Sequence, residues 1–73
     1  MATRTVKSEI SGKVWKIEAS PGSKLAADDA ILILESMKME IPVGAPGSCT
    51  LVRVLVAEGD AVAEDQPLAV VEI

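Results

Sequence analysis

The chain has 73 residues and a formal charge of −4, which bounds it to one small domain with a thin core, because a chain of this size buries only about 60% of its unfolded surface. With no His and a single Cys it lacks the commonest general base, cannot build a structural zinc site and cannot close an internal disulfide. One aromatic residue and an acidic balance exclude the basic face and stacking rings of a nucleic-acid binder. No apolar run reaches the roughly 18 residues that span a bilayer, and the opening Met1-Ala-Thr-Arg-Thr-Val-Lys has no apolar core of a secretory signal. The cytoplasm is the expected compartment, with neither membrane nor nucleic acid as partner.

In chain order, β-branched runs punctuated by Gly and Pro predict strands over 5–10, 13–19, 31–36, 39–43, 50–57 and 68–73, with very short ones at 24–25 and 61–62. Trp15, in the second run, is expected to pack in the core or at a sheet edge. Ser20-Pro21-Gly22-Ser23 fits a type II turn, with Pro fixing φ and Gly allowing φ > 0. Ala26–Ala30 is too short for a stable helix and reads as a turn. The run Ile31-Leu32-Ile33-Leu34 is continuous rather than alternating, yet its length and branched side chains favour a buried strand. In the run from Leu51 to Val56, Arg53 points outward and Val52, Val54 and Val56 share the other face. Cys49 is expected as a small buried hydrophobe.

An internal repeat organises these elements. Residues 11–35 align without gaps on 48–72, at an offset of 37, with Ser11/Ser48, Gly22/Gly59, Ala26/Ala63, Asp28/Asp65 and Glu35/Glu72 identical. Two units are too few for a solenoid. The expected solution is an all-β fold: a flattened barrel or sandwich of two small antiparallel sheets, related by a pseudo-twofold axis, in which each half covers the apolar face of the other. Gly22 and Gly59 mark one pair of equivalent turns. Asp28 and Asp65 mark another, where Asp tolerates left-handed geometry. Residues 1–73 read as one domain.

Between the repeats lies Glu35-Ser36-Met37-Lys38-Met39-Glu40. It joins two apolar strands, so it reads as a hairpin over 36–40 with Met37-Lys38 at the tip. The composition is odd for a tip. Neither central residue is Gly, Asn or Asp, and two Met flank a Lys at the most exposed point. From the residues alone, two readings stand level: the Met side chains fold back over the sandwich edge beside a solvated Lys, or the tip carries chemistry.

Glu35-Ser36-Met37-Lys38-Met39 resembles the attachment motif Glu-Ala-Met-Lys-Met of biotinyl/lipoyl carrier domains, a barrel-sandwich fold. The resemblance covers nearly the whole chain, in Ser11-Gly12-Lys13-Val14, in Gly22-Ser23-Lys24-Leu25 and Gly59-Asp60-Ala61-Val62, and in the stretch from Ile41 to Ala45-Pro46. In size it is similar to stand-alone, thumbless biotin/lipoyl attachment proteins. Ser36 stands where the family usually has Ala, Asp28 and Asp65 where it often has Gly, and Cys49 where Gly is usual.

The resemblance implies that a biotin protein ligase acylates the ε-amine of Lys38, and that the arm then carries CO2 between biotin carboxylase and carboxyltransferase sites. A lysine amine is almost wholly protonated at neutral pH, so the ligase must supply the base and the activated acyl group, and the domain supplies presentation. Acylation removes one positive charge, taking the net charge from −4 to −5. By the same resemblance Met37 and Met39 flank the lysine as recognition residues, with soft thioethers suited to a partner surface. Glu35, Ser36 and Glu40 are weaker recognition candidates. The acidic residues Glu58, Asp60, Glu64, Asp65 and Glu72 read as a solvated face. No nucleophile–base pair and no metal set is found, so the chain is expected to be a carrier and not an enzyme. Two other readings keep the same fold: a lipoyl carrier with lipoate on Lys38, and an unmodified adaptor module.

Overall fold

A computed structural model describes residues 2–73. It contains eight strands: β1 (Thr3–Lys7), β2 (Gly12–Ile17), β3 (Lys24–Leu25), β4 (Ala30–Ser36), β5 (Met39–Gly44), β6 (Cys49–Val54), β7 (Ala61–Val62) and β8 (Pro67–Glu72). They form two four-stranded antiparallel sheets, in the orders β1-β8-β6-β3 and β5-β4-β2-β7.

The repeat is structural as well as sequential, and it is wider than the sequence alignment. Thr3 pairs with Glu72 and Val6 with Ala69, as Glu40 pairs with Glu35 and Val43 with Leu32. The offset of 37 therefore carries β1–β4 onto β5–β8, and it exchanges the two sheets. The halves interleave rather than facing each other as the sequence reading expects. Each half contributes an adjacent pair, β2–β4 or β6–β8, to one sheet and its two outer strands to the other. A half alone leaves its outer strands without partners, so the repeat closes only as a pair.

Bulges explain why the sequence alternates imperfectly. The register slips between Val14 and Lys16, and at the equivalent point between Leu51 and Arg53. An extra residue in one strand turns the following side chains to the other face. Trp15 and Val52 are the extra residues, and both reach solvent, at 47% and 39% exposure. This corrects two expectations: Val52 does not share the inner face with Val54, and Trp15, expected in the core or at a sheet edge, stands half-exposed on β2, an inner strand of its sheet. A second pair of slips falls at Ile31 and Leu68. It lets Ile31 and Leu32, and likewise Leu68 and Ala69, all point inward. That is how a continuous apolar run can be one strand.

The strand ends also shift. The first strand starts at Thr3 and stops at Lys7, not at residue 10. The buried Ser8 ends it by donating its hydroxyl to the Ile10 carbonyl, 2.6 Å away. The second stops at Ile17, because the amides of Glu18 and Ala19 both turn to the Ile31 carbonyl. The sixth stops at Val54, where the Leu55 amide bonds the Leu68 carbonyl instead.

The core is aliphatic, as one aromatic residue requires. It divides into two clusters, one around Ile31, Leu51, Ala69 and Val71, the other around Val14, Leu32, Leu34, Val62 and Leu68. Each fully buried Leu, Ile or Val contributes about 1.5–3 kcal/mol by leaving water. Cys49 is buried in the first cluster as expected.

The turns repeat with the strands. Gly22 and Gly59 have φ of 91° and 93°, and their amides bond the Leu51 and Val14 carbonyls, each at 2.7 Å. Asp28 and Asp65 have φ of 68° and 67°. The acidic second half is partly committed to this scaffold: an Asp60 carboxylate oxygen accepts the Ala57 amide at 2.9 Å, and Glu58 accepts the Ile17 amide at 3.0 Å. A Cβ at Gly59 meets nothing within 4 Å, so any penalty there comes from the backbone alone. Gly59→Val is expected to destabilise by more than about 1 kcal/mol, since a branched residue resists positive φ. Urea denaturation measures it, and an unchanged midpoint would mean that the loop relaxes to negative φ.

Candidate functional site: the Met37-Lys38 hairpin

Strands β4 and β5 meet in a two-residue turn. Ser36 pairs with Met39, leaving Met37 and Lys38 as its central residues. Their φ values are 51° and 65°. A two-residue hairpin of type I′ needs positive φ at both central positions to follow the strand twist, which is why Asn-Gly is preferred there. Met and Lys meet the same requirement at a cost of about 1–2 kcal/mol each. Turn geometry does not favour these residues, and the core does not use them. Met37 is 93% exposed and Met39 64%. The Met side chains do not fold back over the sandwich.

Lys38 is exposed at this tip. Among the described residues its amine takes part in no ion pair and no hydrogen bond; the one ion pair found joins Lys16 to Glu18 at 3.8 Å. An acylating enzyme therefore has neither a partner to displace nor structure to unfold. The arrangement can present a primary amine, and it can carry whatever that amine holds.

The base of the hairpin is fixed from the β2 side. The Ser36 hydroxyl donates to the Ser11 carbonyl at 3.0 Å. Beside it, Gly12 lies so close to β4 that a Cβ would stand 2.7 Å from the Glu35 carbonyl oxygen. Neither contact is visible as a motif role; Ser36 looks like a plain small-for-small replacement. Glu35 and Glu40 are exposed and directly opposite one another, with Lys13 opposite Glu35 on its other side. The structure thus gathers Glu35, Ser36, Met37, Lys38, Met39 and Glu40 at one hairpin, with Ser36 turned to the scaffold and the others outward. Ser36→Ala is expected to cost about 1 kcal/mol, the net worth of one hydrogen bond. Amide exchange at Met39 should quicken; exchange as slow as in the wild type would show that the Ser11 contact holds nothing.

A sequence family described as "Biotin-requiring enzyme", the biotin/lipoyl family, matches residues 2–71. The chain belongs to this family. It is 39% identical over 64 residues to the biotin/lipoyl attachment protein of Bacillus subtilis, covering 88% of each chain. It is also 39% identical over 67 residues to the urea amidolyase of Saccharomyces cerevisiae. That alignment takes in 92% of this chain but only 4% of the far longer relative. Among solved structures, the urea carboxylase of Kluyveromyces lactis superposes with a TM-score of 0.92 at 34% identity, over 97% of this chain and 6% of that one. The protein is a biotin carboxyl carrier-like domain of the biotin/lipoyl family.

Proposed function

We propose that residues 1–73 act as one attachment domain, that Lys38 is biotinylated by a biotin protein ligase, and that the loaded arm moves a carboxyl group from a biotin carboxylase to a carboxyltransferase. The observation that carries this reading is the tip itself. A primary amine with no ion pair or hydrogen bond among the described residues stands at a turn whose backbone costs more with Met and Lys than with Asn and Gly. The family's description names biotin and supports it over lipoate, while the name of the Bacillus subtilis relative covers both groups. The fit is good for a covalent group: the amine is exposed, and the methionines on either side offer apolar contact to the enzyme that acylates it.

In the loading step the neutral amine of Lys38 attacks the acyl carbon of biotinyl-adenylate. An amide bond forms, the acyl-phosphate bond breaks, AMP leaves, and the amine releases a proton to the ligase. Biotin, once attached, supplies a ureido nitrogen that can hold a carboxyl group. The chain's own part is mechanical. The paired strands β4 and β5 keep the attachment point fixed at the domain surface, while the arm alone moves. Tethering makes both encounters quasi-intramolecular, at effective concentrations of about millimolar. We place the carrier in the cytoplasm, where ATP for the adenylate is available.

Intact mass after incubation with a biotin protein ligase, ATP and biotin tests the reading. One biotinyl increment is expected. Modification by a lipoate ligase alone would move the domain to lipoyl chemistry, and modification by neither would leave it an adaptor.

A further inference from the structure

The hairpin tip is too small to be a whole docking site. The molecule measures 36 × 17 × 17 Å. A tip of two exposed residues, Met37 and Lys38, offers far less than the roughly 800 Å² per partner of a specific complex. A ligase that draws in the Lys38 amine, which is only a side chain's length from the backbone, must continue its contact onto a flank.

The two outer faces differ. On the sheet that bears Lys38, the register sets Lys13, Glu35 and Glu40 in one row and Lys16, Ile33 and Pro42 in the next, farther from the tip. The bulge turns Trp15 to solvent beside Lys16. This face therefore sets Trp15, Ile33 and Pro42 among charges of both signs. The corresponding rows of the other sheet are Thr50, Glu72 and Thr3, then Arg53, Val70 and Thr5, with Val52 at the bulge. Fold requirements do not explain an aromatic residue at Trp15, because the equivalent bulge is made with Val52. Trp, with Tyr and Arg, is enriched among the few residues that carry most of the binding energy of an interface.

Resting on the acylation reading of Lys38, we infer that the outer face of the β5-β4-β2-β7 sheet, anchored by Trp15, is the docking surface for the ligase that modifies Lys38. The ligase surface it fits has an apolar pocket for the indole, carboxylates facing Lys13 and Lys16, and cations facing Glu35 and Glu40. Ile33 is only five residues before Lys38, about 17 Å along an extended strand and less across the turn. A disc of about 800 Å² has a radius of about 16 Å, so an interface centred on the tip reaches the Trp15 row.

The test is ligase kinetics with Trp15→Val, a substitution for which the fold supplies its own precedent at Val52. Val52→Ala on the opposite sheet serves as control, and thermal unfolding verifies that both variants fold. KM for the carrier should rise tenfold or more in Trp15→Val, with kcat within twofold, and Val52→Ala should match the wild type. Trp15→Phe should recover most of the loss. An unchanged KM in folded Trp15→Val overturns the docking surface while leaving Lys38 acylation intact. An equal loss in Val52→Ala also overturns it, since the effect would then be structural. A wild-type chain that takes no biotin sinks the acylation reading itself, and the docking surface with it.

Discussion

Lys38→Arg abolishes biotin incorporation and leaves the fold intact. This is the largest effect expected, because the reaction needs the one amine that the hairpin presents. Arg keeps the charge, the side-chain reach and the positive φ, and removes only the nucleophile, since a guanidinium stays protonated in proteins. Exposed and without a polar partner among the described residues, Lys38 contributes little to stability. The melting temperature should move by less than about 6 °C, the shift that about 1 kcal/mol produces in a domain of this size. Lys38→Gly separates the two requirements on the turn. It loses the acceptor and should stabilise by about 1 kcal/mol, because Gly takes φ of 65° without a Cβ penalty. Intact mass and thermal unfolding of both variants read the outcome. Biotin on Lys38→Arg would assign the modification to another lysine, and a collapsed melting temperature would mean that the tip is structural.

Gly12→Ala is the second large effect, and it acts on the scaffold behind the site. The added Cβ would lie 2.7 Å from the Glu35 carbonyl oxygen and 3.4 Å from the Ser36 Cβ. The first of these is backbone and cannot swing away. Either β2 retreats, loosening the Ser36–Ser11 hydrogen bond, or the base of the hairpin shifts. Overpacking of this kind costs about 1–3 kcal/mol. At about 0.05–0.15 kcal/mol per residue, a domain of 73 residues has only about 4–11 kcal/mol in all. Urea denaturation should show the loss, and biotinylation should slow because the tip is no longer held in place. A stable variant loaded at the wild-type rate would show that the β2 entry is free to move.

How much of this was legible in the residues follows from what is local and what is not. The hairpin is local: two branched strands with two residues between them leave one possible tip, so Lys38 and its methionines could be placed at once. The turns are local as well. Gly22, Gly59, Asp28 and Asp65 sit where φ is positive, which Gly permits by lacking a Cβ and Asp by its short polar side chain. The offset of 37 is a property of the text and pointed to a twofold architecture. The family resemblance then gave Lys38 a chemistry that no spacing could.

Other features depend on which strand lies beside which. A bulge is a mismatch between two strands, so it belongs to a pair and not to a run of residues. Only the pairing of β2 with β4 and of β6 with β8 shows that Trp15 and Val52 turn outward, and only the slips at Ile31 and Leu68 show how neighbouring residues are both buried. The interleaving of the halves is likewise invisible in a repeat, which fixes equivalence and not partnership. Ser36 and Gly12 gain their roles from contacts 25 and 23 residues away along the chain. By itself the sequence determined the elements, the turn conformations, the pseudo-twofold and the exposed lysine, because each rests on local backbone preference or on hydrophobic period. Tertiary structure alone decided which faces are inside, what holds the hairpin base and where the single Trp points, because register and close approach exist only between segments that folding brings together.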